Sequence, residues 1–70
     1  MNTIEFNVEL ERHGLSVAKL ADMVGIGKKA LYAKRSGKVN FKQNEIKKIR
    51  EVLNLSDART LEIFFDKDVS

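Results

Sequence analysis

Residues 15–37 read LSVAKLADMVGIGKKALYAKRSG, and the fold turns on how this stretch divides. Ser16 suits an N-cap, because its hydroxyl can accept from the free N–H groups of an opening helical turn. Val17, Leu20, Ala21 and Val24 then fall on one face of a helix of 3.6 residues per turn. Gly25 follows where a helix needs a left-handed residue, a conformation that glycine enters without a Cβ clash. Ile26 is apolar and suits the corner. From Gly27 or Lys28 a second helix can run to about Arg35 before Gly37 ends it. Two helices this short, joined across a tight turn, make a helix-turn-helix over about residues 16–36. That unit lays its second helix in a DNA major groove.

The flanks extend the helical reading. In Asn2 to His13, Ile4, Phe6, Val8 and Leu10 alternate with polar residues as in a half-buried strand. However, Asn2 followed by Glu5 fits a capping box, and Gly14 fits the residue after a helix; a helix is expected. Its wheel puts Phe6, Leu10 and His13 on the core side, and Ile4 and Val8 on the exposed side. Beyond Gly37, Val39 to Lys42 reads as a loop that drops Phe41 into the core. Gln43 to Leu53 reads as a helix striped by Ile46, Ile49 and Leu53, with Val52 beside them. Asn54 can take a left-handed exit, and Ser56 can cap a last helix through about Phe65. On that helix Ala58, Leu61, Phe64 and Phe65 cluster loosely, with Phe64 expected in the core and Phe65 at the surface. Asp66 to Ser70 reads as a charged, frayed tail. The expectation is an all-α fold of five short helices in a single domain spanning 1–70.

Seventy residues allow only a small core. The chain has no cysteine and one histidine, so neither a disulfide, a thiolate zinc site nor a histidine metal cluster is expected. One His and no glycine-rich phosphate loop leave no catalytic set to assemble, so no enzyme and no cofactor are expected. The absence of a long apolar run or a signal pattern points to a cytoplasmic protein with no membrane partner. The net charge of +3 conceals an asymmetry: from Lys28 to Arg50 nine basic residues face the single acid Glu45, a net +8, while the rest of the chain carries −5. Such a block attracts a polyanion.

The motifs LAxxxGI (Leu20, Ala21, Gly25, Ile26), ALYxK (Ala30, Leu31, Tyr32, Lys34), Gly37-Lys38, Phe41, EIKKI (Glu45 to Ile49), VLNLS (Val52 to Ser56) and Ile63-Phe64-Phe65 together resemble the lambda-repressor/Cro type of helix-turn-helix regulators. The likeness spans nearly the whole chain, and its ending looks like the small lytic-side regulators of temperate phages and prophages. The resemblance implies a lambda-repressor-like fold that binds operator DNA in a genetic switch, inside a bacterial host cell. Within it, the residues expected at DNA are Ser16, Lys19, Lys28, Lys29, Tyr32, Lys34, Lys38, Asn40 and Lys42. Lys28 and Lys29 open the reading helix, and Tyr32 and Lys34 project away from Leu31. One such helix reads only a few base pairs, so a homodimer on double-stranded DNA is expected.

This chain departs from the family pattern at three positions: Gly27 replaces the usual capping Ser, Ala33 a common polar reader, and Arg35 a usually apolar residue. Small regulators of this kind include modulators that act by gripping the cognate phage repressor. An exposed apolar and acidic surface on the first helix, Ile4, Glu5, Val8 and Glu9, would suit that second role, with Phe65 as a further protein contact.

Overall fold

Among the described residues, four left-handed ones punctuate the chain: Gly14 (φ 63°), Gly25 (φ 74°), Gly37 (φ 89°) and Asn54 (φ 51°). After each, the next backbone N–H reaches back to close the preceding helix: Leu15 to Leu10, Ile26 to Ala21, Lys38 to Ala33 and Leu55 to Arg50, at 2.9–3.0 Å. This is the Schellman arrangement. The elements between these corners, in a computed structural model that describes residues 1–65, are α1 (Thr3–Arg12), α2 (Val17–Val24), α3 (Lys28–Arg35), α4 (Gln43–Val52) and α5 (Asp57–Phe64). No strand occurs among the described residues, so the alternation in the first segment does not make one. The tail expected to fray, Asp66 to Ser70, lies outside the described residues.

The caps explain where the helices begin. Asn2, Ser16 and Ser56 each accept from the backbone N–H three residues on, at 3.1 Å. α4 uses the reverse device, in which the Glu45 carboxylate accepts from the Lys42 N–H at 2.8 Å. The Asn2 N–H also donates to the Ile63 carbonyl at 2.7 Å, so the start of the chain is tied to α5.

The inward faces meet around Phe6, Leu20, Leu31, Ile49, Leu53 and Ile63, all fully buried. α2 packs on both α3 and α4, and α1 on α5. Phe6, Phe41 and Phe64 form an aromatic cluster with ring centroids 5.2–6.3 Å apart, which places Phe41 and Phe64 against the core as expected. No helix among the described residues is long and apolar enough to cross a membrane.

Several helix phases differ from the sequence expectation. His13 is exposed, with its ring Nδ1 2.9 Å from the Glu9 carbonyl, because the chain has left the helix by that point. Val8 and Ile46 are half-buried, the first expected outside and the second inside. On α5 the inward residues are Thr60 and Ile63, whereas Ala58 and Leu61 face out. The Thr60 hydroxyl satisfies itself on the Ser56 carbonyl at 2.8 Å, which lets a polar residue occupy the buried face.

The acids of α1 are the largest correction. Glu9, expected on a solvated face, is 4% exposed. It lies one turn from Phe6, on the side that meets α5, and its Oε2 accepts from Arg59 Nε at 2.6 Å. Arg59 also pairs with Glu5 at 2.7 Å and with Glu62. The hydrogen bonds to Glu62 and Glu9, joined by that to Glu5, outweigh desolvation and hold the guanidinium firmly protonated.

Leu31→Ala should cost about 2–5 kcal/mol, a large part of the stability of so small a domain, read as a drop in the thermal midpoint. Arg59→Ala would leave the buried Glu9 carboxylate with only the long 3.4 Å contact from the exposed Arg12 and should cost about 3 kcal/mol. Arg50→Ala, whose partner Asp57 is 90% exposed, should cost about 1 kcal/mol or less. Equal losses in urea titrations of the two variants would contradict the assignment of Glu9 to the interior.

Candidate nucleic-acid interface

α3 presents its long polar side to solvent because Leu31 is the one large apolar side chain it buries. Lys28, Lys29 and Ala30 are exposed in its first turn, Tyr32 is 42% exposed, and Ser36 and Lys38 are exposed just beyond its end. Gly27 at the N-cap supplies no side-chain hydrogen bond. The opening N–H groups of a helix have no partner within it, so here they face outward beside two lysines. Lys29, Tyr32, Ala33, Arg35, Ser36 and Lys38 line one shallow groove along the outer side of the helix.

Arg35, which sequence reasoning left out of the site, joins this surface. It is half-buried, its guanidinium carbon lies 5.2 Å from the centroid of the Tyr32 ring, and its Nη1 donates to Asn7 Oδ1 at 3.0 Å. The Arg35 carbonyl accepts from the Thr3 hydroxyl at 2.9 Å. α1 therefore clamps the C-terminal end of α3 and fixes the tyrosine ring under a cation. The signal was present in the sequence, since Arg35 stands four residues from Leu31 and must flank the buried side.

The same spacing corrects Lys34. Three residues from Leu31, it points inward, is 8% exposed, and places Nζ 2.6 Å from both carboxylate oxygens of Glu45. It is not part of the outward surface. Burial, the largest single influence on Glu45, raises its proton affinity. The hydrogen bonds from Lys34 and from the Lys42 backbone, with the charges of both lysines, outweigh that and hold the carboxyl below the ordinary carboxylate range.

The other expected contacts are spread around the molecule. Ser16 is exposed, with its hydroxyl engaged in capping α2 on the Lys19 N–H, and Lys19 is exposed beside it. Asn40 and Lys42 are exposed in the loop before α4. Asn40 borders a different cavity, with Met1, Val39 and Phe64, and does not share the groove of Lys29 and Tyr32. Of the proposed protein-binding residues, Ile4 (74%) and Phe65 (51%) are exposed. Val8 and Glu5 are half-buried, Glu9 is buried, and both acids are committed to Arg59.

Ion pairing sorts the basic block into two groups. Lys34 is neutralised by Glu45 and Arg50 by Asp57. Lys28, Lys29, Lys38, Lys42, Lys47 and Lys48 are exposed and take no ion-pair partner among the described residues. No model of a known protein family matches this chain, and neither do any curated proteins or solved structures.

The depressed Glu45 carboxyl has a pH signature. A carboxyl whose proton affinity is lowered by folding stabilises the fold above its unfolded pKa, about 4, and that contribution is lost as pH falls through the lower folded value. Glu45→Gln should destabilise the protein by about 1–3 kcal/mol at neutral pH. The gap between variant and parent should close progressively below about pH 4. Denaturant titrations across that range measure the gap, and a constant difference would rule out the pair as its source.

Proposed function

We propose that this chain is a DNA-binding transcriptional regulator of the lambda-repressor/Cro type, in which α2 and α3 form a helix-turn-helix and α3 reads an operator. The observation that carries the reading is the outer side of α3, where unpaired Lys28 and Lys29 flank an uncapped helix start and Lys38 and Tyr32 continue the surface. Lysines at a helix opening suit phosphate oxygens, and the free backbone N–H groups there suit the same anion. Tyr32, stacked on Arg35, would suit packing against a sugar or a thymine methyl. Lys19 and Ser16, at the start of α2, and Lys42 ahead of α4 supply further backbone-type contacts. The setting implied by the resemblance is a phage or prophage switch in the bacterial cytoplasm, with two copies on a two-fold operator.

The alternative, a modulator that grips the cognate phage repressor through an acidic first helix, has less support. Glu9 is buried and both Glu5 and Glu9 are engaged by Arg59 within the chain, and an already paired acid offers less to a basic partner. Ile4 remains as an exposed apolar residue, and single exposed apolar residues are common.

The direct test is titration of the purified protein against operator DNA from its own locus, with and without the cognate repressor. Retention of DNA by the protein alone supports the operator reading; a shift seen only in the repressor's presence favours the modulator. Replacing Lys28 and Lys29 together by Ala should weaken binding and make the dependence of log affinity on log salt shallower by about two units. The paired exchange Lys34→Met with Glu45→Gln removes a buried neutral pair and should leave that slope unchanged. An altered slope in the second variant alone would place the DNA surface elsewhere.

A further inference from the structure

We propose that the groove along the outer side of α3 selects bases that turn a keto edge toward it, thymine or guanine, and discriminates against the amino edges of adenine and cytosine. This rests on the reading of α3 as the operator-binding helix and adds to it the class of base that is read.

The groove is lined by Lys29, Tyr32, Ala33, Arg35, Ser36 and Lys38. An ammonium or a guanidinium carries N–H groups and no acceptor, so whichever of these cations reaches past the backbone to a base can only donate. Among the described residues, none that lines the groove has a carboxylate or an amide side chain. The amide of Asn7, which Arg35 touches, has its Oδ1 already accepting from that arginine at 3.0 Å. The remaining side-chain lone pairs belong to the hydroxyls of Tyr32 and Ser36, and Ser36 is tied to the Ala33 carbonyl at 2.9 Å. A hydroxyl is a single atom and cannot meet both N6 and N7 of adenine as an amide does.

The bases differ in what they show in the major groove. Guanine offers two acceptors, N7 and O6, and thymine offers O4 beside its C5 methyl group. Adenine and cytosine present amino N–H groups, which would face cations or apolar surface here and stay unpaired, a costly outcome once water is displaced. The methyl group of half-buried Ala33 and the Tyr32 ring, stacked on Arg35, put apolar surface among the donors. Apolar surface beside a donor matches a methyl beside an acceptor. Thymine therefore suits the part of the groove at Ala33 and Tyr32, and guanine suits places where only the lysines reach.

The test is selection of duplexes from a random-sequence DNA pool by the full chain, then titration of the recovered duplex carrying one base analogue at a time. Deoxyuridine, which removes only the methyl group of thymine, should weaken binding about fourfold at one position or more. Replacing guanine by 7-deazaguanine, which removes an acceptor, should weaken it about fivefold where a lysine reaches the base. Replacing adenine by 7-deazaadenine should change nothing. Ala33→Gln puts an amide into the groove, and its own recovered duplex should become sensitive to 7-deazaadenine. The analogue series on the parent chain stands whatever the stability of that variant. A parent sensitive to 7-deazaadenine overturns the proposal, as does one that binds duplex but ignores both keto-base analogues; the operator reading survives the first result. A parent that retains no duplex at all overturns the operator reading, and the proposal with it.

Discussion

α3 is held in place by very little apolar surface, and the arrangement of the molecule depends on what supplements it. Of its eight residues only Leu31 is a large buried apolar side chain, and isolated helices shorter than about 12–15 residues are marginal in water. The supplement is the Glu45 carboxylate, which receives Lys34 from α3 and the Lys42 N–H from its own helix start. One side chain thus both begins α4 and fixes the inner side of α3. At the other end of α3, Thr3 and Asn7 of α1 hold Arg35. The helix is therefore suspended between α1 and α4 by polar contacts, with α2 beneath it. This leaves its outer side free of structural duty.

Glu9 and Arg59 perform the corresponding task between α1 and α5. Both pairs join segments distant in the chain, and both bring charge into places a larger protein would fill with hydrocarbon. Buried pairs of this kind often contribute little net stability once desolvation is counted, while removal of one partner is costly. Their value here is directional. An apolar face tolerates sliding and rotation, whereas a carboxylate gripping one ammonium or guanidinium at 2.6 Å admits one register. In a core of so few residues, that restriction sets how the eight-residue helices α3 and α5 each seat on a ten-residue neighbour, α4 and α1.

The helices themselves were legible in the sequence because their punctuation is local. Ser16, Ser56 and Asn2 cap, while Gly14, Gly25, Gly37 and Asn54 turn; both devices act within a few residues of chain. What the sequence concealed was the identity of the charged residues that turn inward. Lys34 stands three residues from Leu31, and Glu9 three from Phe6, so both fall on inward faces despite their charge. Hydrophobicity alone scores such positions as surface. Whether a charge can be buried depends on a partner 11 or 50 residues away, and no window along the chain contains that information. The outward turn of Leu61 was hidden for a related reason: α5 is tied to the start of the chain through Arg59 and the Ile63 carbonyl, and a helical wheel drawn for one helix cannot show that.

Gly27 and Arg35 shape the outer side of α3 from its two ends. A serine at the start of α3 would direct its hydroxyl to the helix's own N–H groups, as Ser16 and Ser56 do for α2 and α5. Glycine leaves those donors open, and with Lys28 and Lys29 beside them the turn keeps an undivided preference for an anion. Arg35 spends its side chain on a stack against Tyr32 and an anchor to Asn7 rather than on packing in the interior. The aromatic ring is the one large side chain on the outer side of α3, and it would otherwise be free to rotate. Holding it from behind with a cation that is itself tied to α1 reduces the conformational freedom lost on binding. Gly27 and Arg35 thus give the outer side of α3 open backbone donors beside two lysines and a ring held in one orientation.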